Sequence, residues 1–211
     1  MRQTRDIRPF DRVSLRSFGD VLLTQAPQQS LELEADEQVL RVLRTEVRGG
    51  ILCIEADPSW HSLFLPNRRA TLWVSTPSVH ALEVSGAGKI VVDRLQVERL
   101  LLVLTGAGSI QVGHLEAQEL DAEVEGAGTI AVAGRVTEQD ISMPGAGAYQ
   151  ARDLESQVAI VRLSGVGKAS VWVHETLDAR LTGVGNLEYY GSPEVSLERI
   201  GIGALTHRGA R

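Results

Sequence analysis

Leu102-Val103-Leu104-Thr105-Gly106-Ala107-Gly108-Ser109-Ile110-Gln111-Val112 holds the reading of this chain. Leu102 and Leu104 lead into a Gly-x-Gly element by steps of two, and Ile110 and Val112 leave it by steps of two. Period two with one apolar set means a strand with one buried face on each side of the glycines. The same arrangement recurs seven times, with first glycines at Gly86, Gly106, Gly126, Gly145, Gly165, Gly183 and Gly201. The period is twenty or nineteen as far as Gly165 and eighteen in the last two steps. A nearly fixed period of this length is the signature of a solenoid, one coil per repeat.

The apolar positions line up across the copies. Before the glycines stand Leu82, Leu102, Ala122, Ile141, Val161 and Ala179, and two residues later Val84, Leu104, Val124, Met143, Leu163 and Leu181. After them stand Ile90, Ile110, Ile130, Tyr149, Ala169 and Leu187, then Val92, Val112, Val132, Ala151, Val171 and Tyr189. Eighteen to twenty residues hold two or three short strands and their corners but not a strand-helix-strand unit, so the expected fold is an all-β parallel β-helix of about seven Gly-x-Gly coils. The pairs Gly86/Gly88, Gly106/Gly108, Gly126/Gly128, Gly145/Gly147, Gly165/Gly167, Gly183/Gly185 and Gly201/Gly203 are expected to form a structural seam. Each glycine there either takes a positive φ or lets the chain pass close to its neighbour. The residue between them, Ala87, Ala107, Ala127, Ala146, Val166, Val184 and Ile202 in turn, is expected to form an inward ladder with room growing toward the C-terminus. Phosphate binding by these turns would need a following helix N-terminus, and β-branched strands follow instead.

Residues 1–80 lack a glycine pair but carry strand patterns around Val13 and Leu15, Val21 to Leu23, Leu31 and Leu33, Ile51 to Glu55 and Thr71 to Ser75. Residues 36 to 42 fit one short helical turn with Asp36 as its cap. This N-terminal β segment is read as starting or capping the stack, and 81–211 as the Gly-x-Gly β-helix, together one structural domain. Arg199 falls where a core aliphatic stood in earlier coils, which suggests that the last coil breaks register and serves as a cap or an oligomer contact.

Composition narrows the function classes. Net charge is −6 with no Lys/Arg cluster, which speaks against nucleic acid and against an anionic membrane surface. The one cysteine, Cys53, lies in the apolar run Ile51 to Ile54 and reads as a small buried hydrophobe. No stretch approaches a membrane span, and the first residues lack the apolar core of a signal peptide, leaving a cytoplasmic location open. His61, His80, His114, His174 and His207 show no metal-ligand spacing, and no metal or other cofactor is expected. Seven residues beyond each first glycine stand Asp93, Gly113, Ala133, Arg152, Trp172 and Tyr190, with no carboxylate ladder of the kind a glycoside-cleaving groove needs, so no catalytic residue is assigned. Glu119, Asp121, Glu123 and Glu125 share one parity and read as a solvated strand face, with a divalent-cation site as the alternative. The candidate binding residues are the aromatics and a neighbour: Trp60, His61, Trp172, Tyr189 and Tyr190. Plugging of the coil ends is the alternative role for them.

The chain also resembles a known family, the bacterial putative auto-transporter adhesins with a head GIN domain, long a domain of unknown function. The resemblance rests on Arg8-Pro9-Phe10-Asp11-Arg12-Val13, Val21-Leu22-Leu23-Thr24-Gln25, Leu31-Glu32-Leu33-Glu34-Ala35-Asp36-Glu37, Gly50-Ile51-Leu52-Cys53-Ile54 and Leu82-Glu83-Val84-Ser85-Gly86-Ala87-Gly88. Leu181-Thr182-Gly183-Val184-Gly185 and Tyr190-Gly191-Ser192-Pro193 match near the end. It implies a right-handed parallel β-helix, a periplasmic or cell-surface location and an adhesin-like role, with no catalytic residues to carry over. Many relatives have serine inside the glycine pair, where this chain has Ala or Val. The reading that combines both lines is a non-enzymatic binding or structural module for a surface polysaccharide, an envelope protein or a second copy of itself. The alternatives are a carbohydrate-active β-helix enzyme of the polysaccharide lyase or hydrolase type, and a cytoplasmic scaffold.

Overall fold

The computed structural model describes residues 1–57 and 70–210. The chain opens with β1 (Arg2–Thr4), β2 (Arg12–Arg16) and β3 (Asp20–Gln25), then β4 (Ser30–Ala35), α1 (Glu37–Val42), β5 (Leu43–Arg48), β6 (Ile51–Ala56) and β7 (Ala70–Thr76). The repeats follow as β8 (Ala81–Val84), β9 (Lys89–Gln96), β10 (Arg99–Leu104), β11 (Ser109–Val124), β12 (Thr129–Met143), β13 (Ala148–Leu163) and β14 (Lys168–Leu181). The last strands are β15 (Asn186–Tyr190), β16 (Glu194–Arg199) and β17 (Ala204–His207). It is a nearly all-β solenoid of stacked parallel coils.

Each coil has two sides joined at the glycine corner. Leu82, Leu102, Ala122, Ile141, Val161, Ala179 and Leu197 form one column of directly paired residues, and Ile90, Ile110, Ile130, Tyr149, Ala169, Leu187 and Leu205 form another. All but Leu197 and Leu205 are buried, so the interior is a stack of mostly aliphatic ladders. The large Tyr149 fits among them because its hydroxyl donates to Gln139 Oε1 at 3.0 Å. Gln139 Nε2 donates to Ser156 Oγ at 2.8 Å, which in turn donates to the Trp172 carbonyl at 2.8 Å, so a buried polar chain crosses the core with its groups satisfied.

At the seam none of the fourteen glycines has a positive φ. Close approach is the reason for glycine here. A Cβ on Gly106 would stand 2.1 Å from the Gly86 carbonyl oxygen, and one on Gly126 2.0 Å from that of Gly106. The coils come this close because the ladder continues through the corner: Ala107 N donates to Gly86 O at 3.1 Å, and Ser109 N to Gly88 O at 3.1 Å.

Burial divides each glycine pair into two different positions. The first glycines, from Gly86 to Gly183, are partly exposed, and Gly201 is exposed. The second ones, Gly88, Gly108, Gly128, Gly147, Gly167, Gly185 and Gly203, are buried, so they belong to the packed interior and offer no surface to a ligand. Their neighbours are core side chains as well as backbone. A Cβ would meet Leu104 Cδ2 at 2.9 Å from Gly128, Val124 Cγ1 at 2.5 Å from Gly147 and Met143 Cε at 2.8 Å from Gly167. Gly203, in the last coil, has the Gly185 carbonyl oxygen at 2.3 Å instead.

The inward ladder expected between the glycines is not found. Ala87, Ala107, Ala127 and Ala146 are exposed, as are Val166, Val184 and Ile202, the last 84% so. The physical reason is parity: Val84, Gly88 and Ile90 point inward, so Ala87 points out.

The N-terminal segment is threaded out of sequence order. β2 pairs in parallel with both β6 and β8, and β3 with both β7 and β9. Residues 12–25 therefore form the coil directly beneath the first glycine coil, and Ser17 O lies 2.1 Å from a Cβ built on Gly86. β1, β4 and β5 add antiparallel strands outside this stack, which ends parallel growth on that side. α1 packs Val39 and Val42 into the core at this end. Asp36 stands at its N-cap, but its side chain makes no capping hydrogen bond. Arg5 ties the segment together by donating to Leu43 O at 2.9 Å, Thr45 Oγ1 at 2.8 Å and Leu40 O at 3.2 Å. At the other end β16 pairs in register with β14, Arg199 opposite Leu181, so the last coil keeps the register rather than breaking it. Arg199 tolerates its core column because every residue of β16 is exposed.

Candidate functional site

The corner opposite the glycine seam, where β9 and its successors end, differs from coil to coil. Its strands carry irregularities in pairing: between Val112 and Leu115 in β11, between Ala131 and Ala133 in β12, and between Ala151 and Glu155 in β13. Bulges of this kind re-aim side chains at a strand end. Gly134 sits in this region with φ +125, and a Cβ there would meet the Leu115 carbonyl oxygen at 2.1 Å.

Beyond the bulges the register brings Gln96 beside Glu116, Glu116 beside Arg135, Arg135 beside Glu155, Glu155 beside Trp172, and Trp172 beside Tyr190. Six residues from six successive coils thus form one column along the solenoid axis, spaced by the strand separation of about 4.8 Å. Gln96, Glu116 and Arg135 are exposed, while Glu155, Trp172 and Tyr190 are partly exposed. Beside the first four residues of the column, Gln96 to Glu155, runs a groove of about 1070 Å³ whose next row is Glu98, Gln118, Thr137 and Gln157; Trp172 and Tyr190 lie beyond its lining. Thr137 Oγ1 donates to Gln118 Oε1 at 3.0 Å, which fixes that row.

Some of the corner's charged groups are paired with one another, and the carboxylates outnumber the guanidinium. Glu155 accepts from Arg135 Nε at 2.9 Å and lies 2.9 Å from His174 Nε2. These hydrogen bonds, Arg135 first, hold the Glu155 carboxyl below the usual glutamate range. His114 Nε2 lies 3.2 Å from Glu116 Oε1. Trp172 packs against His174 with ring centroids 5.5 Å apart and tilted by 54°.

Of the aromatics singled out in the sequence, Trp172 and Tyr190 share the column. Tyr189 does not: it has the opposite parity, pairs with Val171 on the inward side and stacks on His207 at 4.7 Å. It packs against the core, and His207 Nε2 lies 2.8 Å from Gly191 O. Trp60 and His61 lie outside the described residues. Gln96, Glu116, Arg135 and Glu155 were missed by counting a constant seven residues from the first glycine. Their true offsets are 10, 10, 9 and 10, against 7 for Trp172 and Tyr190, because the later coils drop the bulge. The shortening of the period after Gly165, from twenty to eighteen, is the sequence signal of that change.

The acidic face of β11 is solvated and partly paired. Arg99 Nη2 donates to Glu119 at 2.6 Å, and burial, then Asp140 and Glu119, push the Asp121 carboxyl up. Among the described residues no three His, Cys, Asp or Glu side chains gather as a metal site would require. Among them, too, no helix is long and apolar enough to cross a membrane.

The fold is similar to that of a putative adhesin from Bacteroides fragilis NCTC 9343, with a TM-score of 0.92 at 21% identity over 98% of this chain and 96% of that one. It is also similar to a putative lipid binding protein from Parabacteroides distasonis ATCC 8503, with a TM-score of 0.78 at 22% identity over 98% and 96% of the two chains. A putative adhesin from Parabacteroides merdae ATCC 43184 gives 0.75 at 19% identity over 98% and 95%. No curated protein matches the sequence significantly. Residues 9–193 match the family described as Putative auto-transporter adhesin, head GIN domain, and the chain belongs to that family.

Proposed function

We propose that the protein is a non-enzymatic, adhesin-like binding module of the cell surface or periplasm, and that its contact face is the corner strip from Gln96 to Tyr190. The axial column carries this reading, because it sets amide, carboxylate, guanidinium and aromatic groups in one line on a rigid frame. Many weak contacts repeated along such a line add up through multivalency. The adhesin descriptions of the family and of two structural neighbours agree with it. The lipid-binding description of a third neighbour finds less support here, since the interior ladders are filled by buried side chains.

At this corner the electrostatics favour binding over hydrolysis. A glycoside-cleaving pair needs one carboxyl kept protonated near neutral pH. Glu155 is shifted the opposite way by Arg135 and His174. The test is capture of the purified protein on arrays of bacterial envelope fractions, with Arg135→Glu as the corner variant. Binding by the parent and its loss in the variant is the expected result; equal capture of both would remove the corner from the function.

A second reading, self-association, has its own observation. The last coil exposes Val195, Leu197, Ile200 and Ile202, the middle two at 44% and 63%. Among the described residues β16 and β17 also present unpaired edges, which invite another strand. Sedimentation velocity over a concentration series tests it: Leu197→Glu should abolish any dimer, and a parent that stays monomeric throughout excludes this reading.

A further inference from the structure

The ligand class of the corner follows from what the strip offers and what it withholds, on the reading that this corner is the binding face. Glu98, Glu116 and Glu155 bring three negative charges to it and Arg135 one positive charge, which Glu155 already engages through both Nε and Nη2, at 2.9 and 2.8 Å. A polyanion would find no uncommitted cation among these groups and a surplus of carboxylates. Sugar hydroxyls, which donate and accept at once, suit carboxylate and amide neighbours set one coil apart. The amides of Gln96, Gln118 and Gln157 supply the donors that the carboxylates lack.

The aromatic end supplies the other half of sugar recognition. Trp172 and Tyr190 are adjacent in register and outward by parity, in contrast to Tyr189; both are partly exposed, and the indole nitrogen of Trp172 is on the buried side of its ring. Aromatic faces at the strand spacing offer platforms for the C–H faces of pyranose rings, with large contact area at low entropic cost. The column spans five strand spacings, about 24 Å. Its geometry is linear, and so is the ligand that fits it.

We propose that the strip Gln96, Glu116, Arg135, Glu155, Trp172 and Tyr190 binds an uncharged linear polysaccharide laid along the solenoid axis. Its rings rest on Trp172 and Tyr190, and its hydroxyls are held by the polar groups of the preceding coils. Affinity therefore rises with chain length until the oligomer spans the strip.

The test is calorimetric and NMR titration of the full chain with cellohexaose and chitohexaose, their disaccharides, and an oligogalacturonate of equal length. Binding of a neutral hexaose is expected, at least tenfold tighter than its disaccharide and at least tenfold tighter than the oligogalacturonate. Tyr190→Ala should weaken it tenfold or more, and Gln111→Ala, on the open face of β11, should leave it unchanged. Because Trp172→Ala removes a partly buried ring, that position is read in the parent by the shift of its indole N–H signal on titration. Failure of both neutral hexaoses, equal or tighter binding of the oligogalacturonate, or indifference to Tyr190→Ala would each overturn the assignment. Should envelope capture then persist, be lost in Arg135→Glu and vanish on protease treatment of the envelope fraction, the corner would remain a binding face whose ligand is protein.

Discussion

Substituting Gly126 and its neighbour Ala127 separates the two demands made on the seam. In Gly126→Ala the new methyl would stand 2.0 Å from the Gly106 carbonyl oxygen and 2.7 Å from that of Thr105, both backbone atoms that no rotamer change moves. Ordinary contact begins near 3.4 Å, so the coils must part by about 1.4 Å at this corner. The hydrogen bonds from Ala127 N to Gly106 O at 3.1 Å and from Gly126 N to Leu104 O at 3.0 Å would then be broken or badly stretched. At about 1 kcal/mol net each, with a comparable amount for residual strain, the loss comes to about 2–4 kcal/mol. For a chain of this size that lowers Tm by roughly 5–15 °C. Ala127→Val, by contrast, places an exposed side chain that Val166 and Val184 already carry in later coils, and should change stability by less than about 0.5 kcal/mol. Thermal and urea unfolding followed by far-UV circular dichroism measure both. The close-approach account is refuted if Gly126→Ala is as stable as the parent, and the outward ladder is refuted if Ala127→Val shows the ~1–3 kcal/mol of an overpacked core.

Three further outcomes are expected. Tyr149→Phe leaves the buried Gln139 Oε1 without its donor and should cost about 1–3 kcal/mol in urea unfolding, although it removes only one oxygen. Glu155 should titrate below an ordinary glutamate in carbon-detected NMR, with Arg135→Ala moving it back up. Since its folded value is depressed, its contribution to stability is present above the ordinary glutamate range and fades as pH falls through the depressed value. Cys53 is buried and its thiol is pushed up, by burial first, so it should react with a thiol reagent far more slowly in the native chain than in the unfolded one; equally rapid labelling of the native protein would contradict its burial on β6.

The coil architecture was legible because a ladder is a local rule repeated. Ile90, Ile110, Ile130, Tyr149, Ala169 and Leu187, aligned by spacing from the glycines, stand in one paired column. Even Tyr149 obeyed, since its hydroxyl finds Gln139 on a strand ten residues away in sequence. The direction of Ala87 was equally available from parity, three residues from inward Val84 and three from inward Ile90, but its small size pointed to the inside. Size at a corner reports crowding, and here the crowding acts on the glycines, not on the residue between them. The threading of residues 12–25 between two later coils was not legible, because β2 and β3 carry no glycine pair and their partners lie far along the chain, as in Val13 beside Leu82 and Asp20 beside Lys89. Ser17 beneath Gly86 is the contact that joins the two grammars.

The two corners of each coil are under opposite constraints, and the proposed binding face rests on that opposition. At the seam, backbone carbonyls of one coil occupy the space that the next coil's side chain would need, so the chain has no freedom there beyond the outward residue. At the other corner the strands absorb bulges, so residues can be added or dropped without disturbing the ladders on either side. The shorter coils that follow Gly165 lack the bulge that precedes Glu155, and Val171 runs straight into Trp172. One consequence is that coil length and corner chemistry change together: the longer coils present Gln96, Glu116, Arg135 and Glu155, and the shorter ones, where the irregularity of β14 falls after Trp172, present Trp172 and Tyr190. Inserting three residues between Val171 and Trp172 should therefore restore a bulged corner, leave the buried ladders of β14 paired, and move the indole out of line with Tyr190. Retained thermal stability with altered ligand response is the outcome that this division of labour requires, and a variant that unfolds instead would show that the second corner is as rigid as the seam.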